Sequence, residues 1–347
     1  MSLVPLISFS KETEPFRCRT KIKKARSDFK KLGNQYVQSK LKIIEEEFSG
    51  KSCTDSIIEA FRDEIYGGLL SLKGGVEAYA DELIEKDRKK KKLGFWCKQQ
   101  SYNTIYFKRV PLATAFITPS INLCGQQVGT DKLGHFFNNS YELYAEYNGE
   151  WLRAPLRFYV KLFSPQVTCP GKAPLDKALC YSLSTEMGEY GAKWTSVVSY
   201  ADSAVNYYGL TFWQNFYDPT GENPKAYFQC KNGKIKRTKR KFNWCDYVTP
   251  LWDEAINCSR IAQKNRSGDI IRYLSMTELM HQSPMYKRQQ CPVSTNECIR
   301  GVSHLKKTMG TNYSYSRAKL LVDESCLKYS IKNKENPSHN IKTRGAR

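Results

Sequence analysis

Residues 130–144 read TDKLGHFFNNSYELY, and residues 199–216 read SYADSAVNYYGLTFWQNF. The first stretch follows Gly129 with a capping residue, Thr130, and then sets Phe136, Phe137, Tyr141 and Tyr144 among good helix formers. That pattern predicts a helix with one buried face. Asp131 and His135 lie four residues apart in it, and Asp202 and Asn206 repeat the spacing in the second stretch, so each pair shares a helix face. A third helix, from about Leu183 to Lys193, carries Glu186 and Glu189, and a fourth is expected over Phe158 to Phe163. Ser164-Pro165 and Cys169-Pro170-Gly171 read as loops, and residues 101–125, rich in β-branched and aromatic side chains, as short strands or extended loop. Residues 101–220 are thus expected to form a central helical bundle with a polar site.

Upstream, Phe29, Leu32, Tyr36, Leu41, Ile44 and Phe48 recur at helical spacing, and Ile57 through Leu83 repeat the pattern, with Ser49-Gly50-Lys51-Ser52 as the turn. Residues 1–100 read as a helical hairpin ending in the basic run Arg88 to Lys92, where cations complement a helix C-terminus. Downstream, Asn232-Gly233 between strand-like residues signals a β-hairpin over Ala226 to Arg237. Helices are expected near Trp252 to Ile261 and Glu297 to Met309. The expected fold is mainly α, with a basic, cysteine-rich region at 221–329, irregular apart from that hairpin, and a disordered basic tail at 330–347.

The 347 residues carry 55 Lys and Arg against 34 Asp and Glu, a net charge of +21. Residues 101–220 are neutral, while residues 221–347 hold 25 basic and 10 acidic side chains, a surplus of +15. A surface of this kind attracts polyanions such as nucleic acid, anionic lipid head groups and acidic envelope polymers, although solvated basic faces alone also account for it. No apolar run reaches the roughly 18 residues of a membrane span, and 40% hydrophobic residues exclude a wholly disordered chain.

Twelve cysteines, with no CxxC pair, predict disulfides rather than a zinc site. The local pairs Cys169/Cys180, Cys230/Cys245 and Cys291/Cys298 are the simplest connectivity. Disulfides imply export, whereas MSLVPLISFS lacks a basic region and an apolar stretch long enough for an ordinary signal peptide. A periplasmic or secreted location is expected, with a cytoplasmic one carrying reduced thiols as the alternative.

Asp131, His135, Glu186, Glu189, Asp202 and Asn206 are the candidates for acid–base chemistry, since carboxylates and an imidazole converging from several helices build many such sites. His135, Glu186 and Asp202 are the ligands a divalent metal would take. Each residue also has a plainer reading: Asp131 offsetting a helix dipole, Asp202 in a capping box with Ser199, Asn206 bonded to backbone, His135 satisfied in the core. No GxSxG, P-loop, HExxH or dinucleotide fingerprint is present. Lys132 and the run Lys234, Lys236, Arg237, Lys239, Arg240 and Lys241 are candidate binding residues, the run reading equally as a solvated hairpin edge.

The segments TDKLGHFF (130–137), Glu186 and SYADSAVNYYG (199–209) together resemble the DKxxHF, E and SxxDxxxNxxG signature of the YfiM-type predicted periplasmic lipoproteins, echoed in VanZ-like proteins. The resemblance covers residues 128–216 and implies a small helical envelope protein with its site at Asp131, Lys132, His135, Glu186, Asp202, Asn206 and Gly209. The expected function is binding or remodelling of an anionic envelope polymer or lipid head group. A metal-dependent hydrolase of a phosphate or glycosyl substrate is the runner-up, and non-specific nucleic-acid binding, without sequence readout, ranks last.

Overall fold

The computed structural model describes residues 12–13, 15–16, 18–25, 27–66, 75–90, 94–98, 117–149, 169–188, 191–193, 195–265, 267–283 and 286–335. Within them the protein is mainly α-helical with small sheets. Its longer helices are α1 (Lys30–Phe48), α2 (Ser56–Tyr66), α3 (Gly75–Lys90), α4 (residues 131–148), α5 (Pro174–Met187), α6 (Tyr200–Gln214), α7 (Thr295–Met309) and α8 (Glu324–Glu335). The helix expected over Phe158 to Phe163 lies outside the described residues.

Of the apolar positions of α1 that the sequence spaces helically, Leu41, Ile44 and Phe48 are buried, joined by Val37, while Leu32 and Tyr36 are half-buried against the core. The second helix expected upstream is two, α2 and α3, with residues 67–74 outside the described set. Helix α5 starts at Pro174, well before Leu183, because Pro at the first helical position needs no amide partner. It ends at Met187 rather than near Lys193. Around Trp252 the expected helix is corrected to a short 3-10 turn, Pro250–Trp252, followed by irregular chain and the strand Arg260–Lys264. Side chains there displace helical bonding: Asp253 Oδ1 accepts from the Ala255 amide, and the Asn257 amide group donates to the carbonyls of Tyr200, Leu251 and Leu321. Residues 330–335, expected in the disordered tail, belong to α8.

The hairpin at Asn232-Gly233 is present, pairing Phe228–Lys231 with Lys234–Arg237. Its turn residues have φ of 53° and 70°, which suits the strand twist and which asparagine and glycine tolerate. A second hairpin, Ser120–Leu123 with Gln126–Gly129, turns at Cys124 and Gly125 and leads directly into α4. A short parallel pair, Glu12–Thr13 with Ile117–Thr118, lies near the start of α4.

One apolar core runs from Phe29 to Leu327 and takes residues from all three segments of the chain, so it crosses the boundaries near 100 and 220 that charge and composition had marked. Six disulfides join Cys18–Cys97, Cys53–Cys230, Cys124–Cys245, Cys169–Cys180, Cys258–Cys291 and Cys298–Cys326, leaving no free cysteine. The expected pair Cys169/Cys180 forms. Cys230/Cys245 and Cys291/Cys298 do not, because each of those cysteines packs against a different segment.

Helices α4 and α6 cross at Gly209. A Cβ there would come within 2.2 Å of the Phe136 carbonyl oxygen and 2.3 Å of Ser140 Oγ. Gly209→Ala is expected to cost about 1–3 kcal/mol through overpacking, read as a lower midpoint in urea with little change in slope.

Candidate functional site

Residues His135–Asn139 of α4 are wound as a π-helix between two α-helical pieces. A widened turn loosens carbonyls from the regular ladder, and α6 and Ser140 engage them. The Trp213 indole donates to the Phe137 carbonyl at 3.1 Å, and the Ser140 hydroxyl donates to the Phe136 carbonyl. Trp213 of α6 and Ser140 thereby fix the turn that presents His135.

At the head of α4 the Lys132 ammonium is sealed from solvent and meets three carboxylates: Asp131 Oδ2 at 2.7 Å, Asp202 Oδ1 at 2.5 Å and Glu254 Oε1 at 2.5 Å. The ammonium donates hydrogen bonds to Asp131 and Glu254, while Asp202 faces it as an ion pair. Asp131 Oδ1 accepts from Thr13 and Thr118, at 2.9 and 3.0 Å, which explains why the short parallel strand pair sits beside α4. Gly129 makes room for this arrangement, since a Cβ on it would fall 1.8 Å from Thr13 Oγ1 and 2.1 Å from Asp131 Oδ1.

Burial works against the Lys132 charge, but Asp131, Asp202 and Glu254 together raise its pKa well above that of an ordinary lysine. Burial likewise opposes the Asp131 charge, yet Lys132, His135 and the Thr13 hydrogen bond hold its carboxyl below the usual range. Glu254 behaves differently. Burial pushes it up, Lys132 pulls it down, and Asp202 and Asp131 push it up again, to about 8. Near neutral pH the Glu254 carboxyl is thus biased toward its protonated form.

His135 sits beside this cluster. Its Nε2 is 3.4 Å from Asp202 Oδ2, and its Nδ1 is 4.0 Å from Glu186 Oε1, 3.3 Å from Asn206 Oδ1 and 3.1 Å from Asn139 Nδ2. Asn206 Nδ2 in turn donates to Ser182 Oγ at 3.1 Å, tying α6 to α5. The plainer readings of two residues are thus superseded. Ser199 caps α6 by accepting from the Asp202 amide, but the Asp202 carboxylate turns to Lys132 and His135 instead of closing a capping box. Asn206 bonds side chains, not backbone.

Asp131, His135, Glu186, Asp202 and Asn206 accordingly meet in one place, while Glu189 lies outside the described residues. Lys132, expected to bind a ligand, is instead the fully buried counter-ion. In the basic run, Arg237 and Arg240 are half-buried against Tyr227. The lysines 234, 236, 239 and 241 are exposed.

The arrangement bears on a metal in two ways. Asp131, His135 and Asp202 each offer a ligand atom within 4.8 Å of the others. Lys132 Nζ, however, already bridges the two carboxylates, so an ion would have to displace the ammonium. Glu186 and Asp202 approach different nitrogens of the ring, and an ion takes one of them, so His135, Glu186 and Asp202 do not form a single ligand set as they stand. Sequence reasoning missed Glu254, Thr13 and Thr118. The available signal was the pair Asp253-Glu254 inside an otherwise apolar stretch, Leu251 to Ile256. Asp253 is also buried, paired with Arg19.

Comparison with family models, curated proteins and solved structures gives no match for this chain. The likeness to YfiM-type proteins rests on the sequence motifs alone.

Asp202→Asn and His135→Ala are each expected to cost more than the roughly 1 kcal/mol of a lost cap. In a double-mutant cycle the pair should lose clearly less than the sum, whereas additivity would mean two independent residues. Glu254 supplies a second test. Its folded pKa lies above its unfolded value, so its contribution to stability is full below about pH 4.5 and is lost as pH rises through about 8. Glu254→Gln should therefore flatten the fall in stability over that window in urea titrations at successive pH values, and an unchanged slope would contradict the assignment.

Proposed function

We propose that this chain is a periplasmic or otherwise secreted protein that binds an anionic component of the cell envelope and remodels it by acid–base chemistry at His135. The observation that carries this reading is the differing exposure of the clustered groups. The His135 side chain keeps 9% of its surface, whereas Lys132 and Asp202 keep none and Glu254 keeps 1%. The imidazole is the member best placed to meet a substrate, and the sealed carboxylate of Asp202 behind Nε2 orients it. An imidazole so held can take a proton from water or a hydroxyl group and return it to a leaving group, the chemistry of hydrolysis and transfer. With Nε2 turned to Asp202, the proton is exchanged at Nδ1, where a substrate takes the place of the Asn139 and Asn206 contacts.

The six disulfides support an oxidising compartment. Among the described residues no helix is long and apolar enough to cross a membrane. The net charge of +21 favours an anionic partner, and the motif likeness to YfiM-type envelope proteins points the same way. A metal-dependent hydrolase remains the second reading, because Asp131, His135 and Asp202 come within ligating range of one another. Non-specific nucleic-acid binding ranks below both, since no base-reading motif accompanies the exposed lysines and Arg237 is turned onto Tyr227.

The test is turnover of chromogenic phosphate esters, glycosides and carboxylic esters at neutral pH by the oxidised protein. At least one class is expected to react, with the rate falling about 100-fold or more in His135→Ala and unchanged by a chelator. Turnover in no class, or turnover that survives His135→Ala, would overturn the acid–base reading. Loss of turnover on chelation, restored by a divalent ion, would replace it with the metal-dependent one.

A further inference from the structure

The reverse side of α6 faces a different feature. Thr211 lies nine residues on from Asp202, about two and a half helical turns, and so points away from the His135 cluster. Thr211, Gln214 and Asn215, with Tyr207 and Tyr208, line a cavity of about 420 Å³. Helix α7 closes another side with His304, Lys307 and Thr308, and the chain around the basic hairpin closes a third with Lys225, Arg240 and Tyr247. The cavity has no part in the proton-transfer chemistry described above.

Its lining has two chemical characters. The first is positive charge. Lys225, Arg240 and Lys307 face a single lining carboxylate, Asp246. Arg240 is preorganised: its guanidinium stacks 4.3 Å over the Tyr227 ring, donates to the Tyr247 hydroxyl at 3.1 Å and donates to the Lys225 carbonyl. Burial and the neighbouring Lys307 lower the His304 pKa, so its ring stays neutral at pH 7 and bonds the Tyr208 hydroxyl at 3.1 Å. The second character is a dense set of hydroxyl and amide groups beside phenol rings.

We propose that this cavity binds a negatively charged sugar. Its volume falls within the usual range for a small-molecule site and far exceeds a bare inorganic anion. An apolar ligand would strip water from the lysines, the arginine and the amides without replacing those hydrogen bonds. A sugar ring presents hydroxyls to Gln214, to the acceptor side of the Thr211 hydroxyl and to the second amide hydrogen of Asn215, the first donors of both being taken by the Tyr208 and Thr211 carbonyls. It presents its C–H face to Tyr207 or Tyr247, while a carboxylate or phosphate on it pairs with Lys307 and Arg240. The chain's most basic run is continuous with the cavity through Arg240, so the exposed lysines around it attract a longer anionic glycan toward the same mouth. The proposal rests on the reading of an anionic envelope ligand given above, and it is independent of the His135 chemistry.

Isothermal titration of the full oxidised chain with glucuronate, glucose 6-phosphate, glucose and inorganic phosphate tests it. Saturable binding of glucuronate, glucose 6-phosphate or both is expected, at least tenfold tighter than glucose or phosphate, and whichever binds identifies the anionic group as carboxylate or phosphate. Lys307 is exposed, so Lys307→Glu should fold normally and weaken binding at least tenfold, whereas His135→Ala should leave it unchanged. The proposal is overturned if neither charged sugar binds, if glucose or phosphate binds as well, or if Lys307→Glu has no effect. Binding that persists when turnover fails sinks only the acid–base reading, and turnover without sugar binding sinks only this one.

Discussion

The Lys132 ammonium is the point on which the rest of the molecule is registered. Its three carboxylate partners come from α4 itself, from α6 and from the turn after Pro250–Trp252. A buried lysine with one partner missing would leave uncompensated charge in the interior, a loss of several kcal/mol. The ion cluster need not add net stability relative to an apolar core. What it contributes is position, because any slip of α6 along α4 would take Asp202 away from the ammonium and bring a side chain onto Gly209, where the Phe136 carbonyl leaves no room.

That constraint propagates outward. The turn carrying Glu254 is held by its neighbour Asp253, which pairs with Arg19 from the N-terminal region, and Arg19 also reaches Glu297 on α7 at 2.8 Å. Three disulfides span 79, 177 and 121 residues, and the second lies beside backbone bonds that join residues 50–53 to the hairpin strand at Gly233 and Ile235. Such long closures restrict the unfolded chain, which suits a basic protein whose surface charges repel one another in the compact state. In the neutral middle of the sequence, Asp131 and Asp202 are internal counter-ions of Lys132, and Asp176 pairs with Arg317 from the basic region.

Function, as proposed, divides along α6. One face carries Asp202 and Asn206 toward His135, and the other carries Tyr207, Thr211 and Asn215 toward the cationic cavity. A rigid helix with a polar site on each side is an economical scaffold for holding an anionic glycan at one point while a reactive bond is presented elsewhere, because both sites are fixed by the packing of one element.

Some of this was legible in the order of residues. Helical periodicity located α1 and α4 through their apolar faces, whereas α6 is buried on almost every side, and Asn232-Gly233 marked its hairpin because few other residues accept positive φ. The spacing of Asp131 with His135 and of Asp202 with Asn206 placed four site residues, since spacing within a helix is a local property. The partners that decide what those residues do come from far along the chain: Glu254, Thr13 and Thr118 are brought to Asp131 and Lys132 by packing alone. For the same reason Lys132 read as a ligand-binding cation and proved to be a sealed counter-ion, and only one local cysteine pair survived. Sequence fixes which faces are apolar and which side chains share them. Which faces meet, and hence which charges neutralise one another, depends on long-range burial that no short-range pattern encodes.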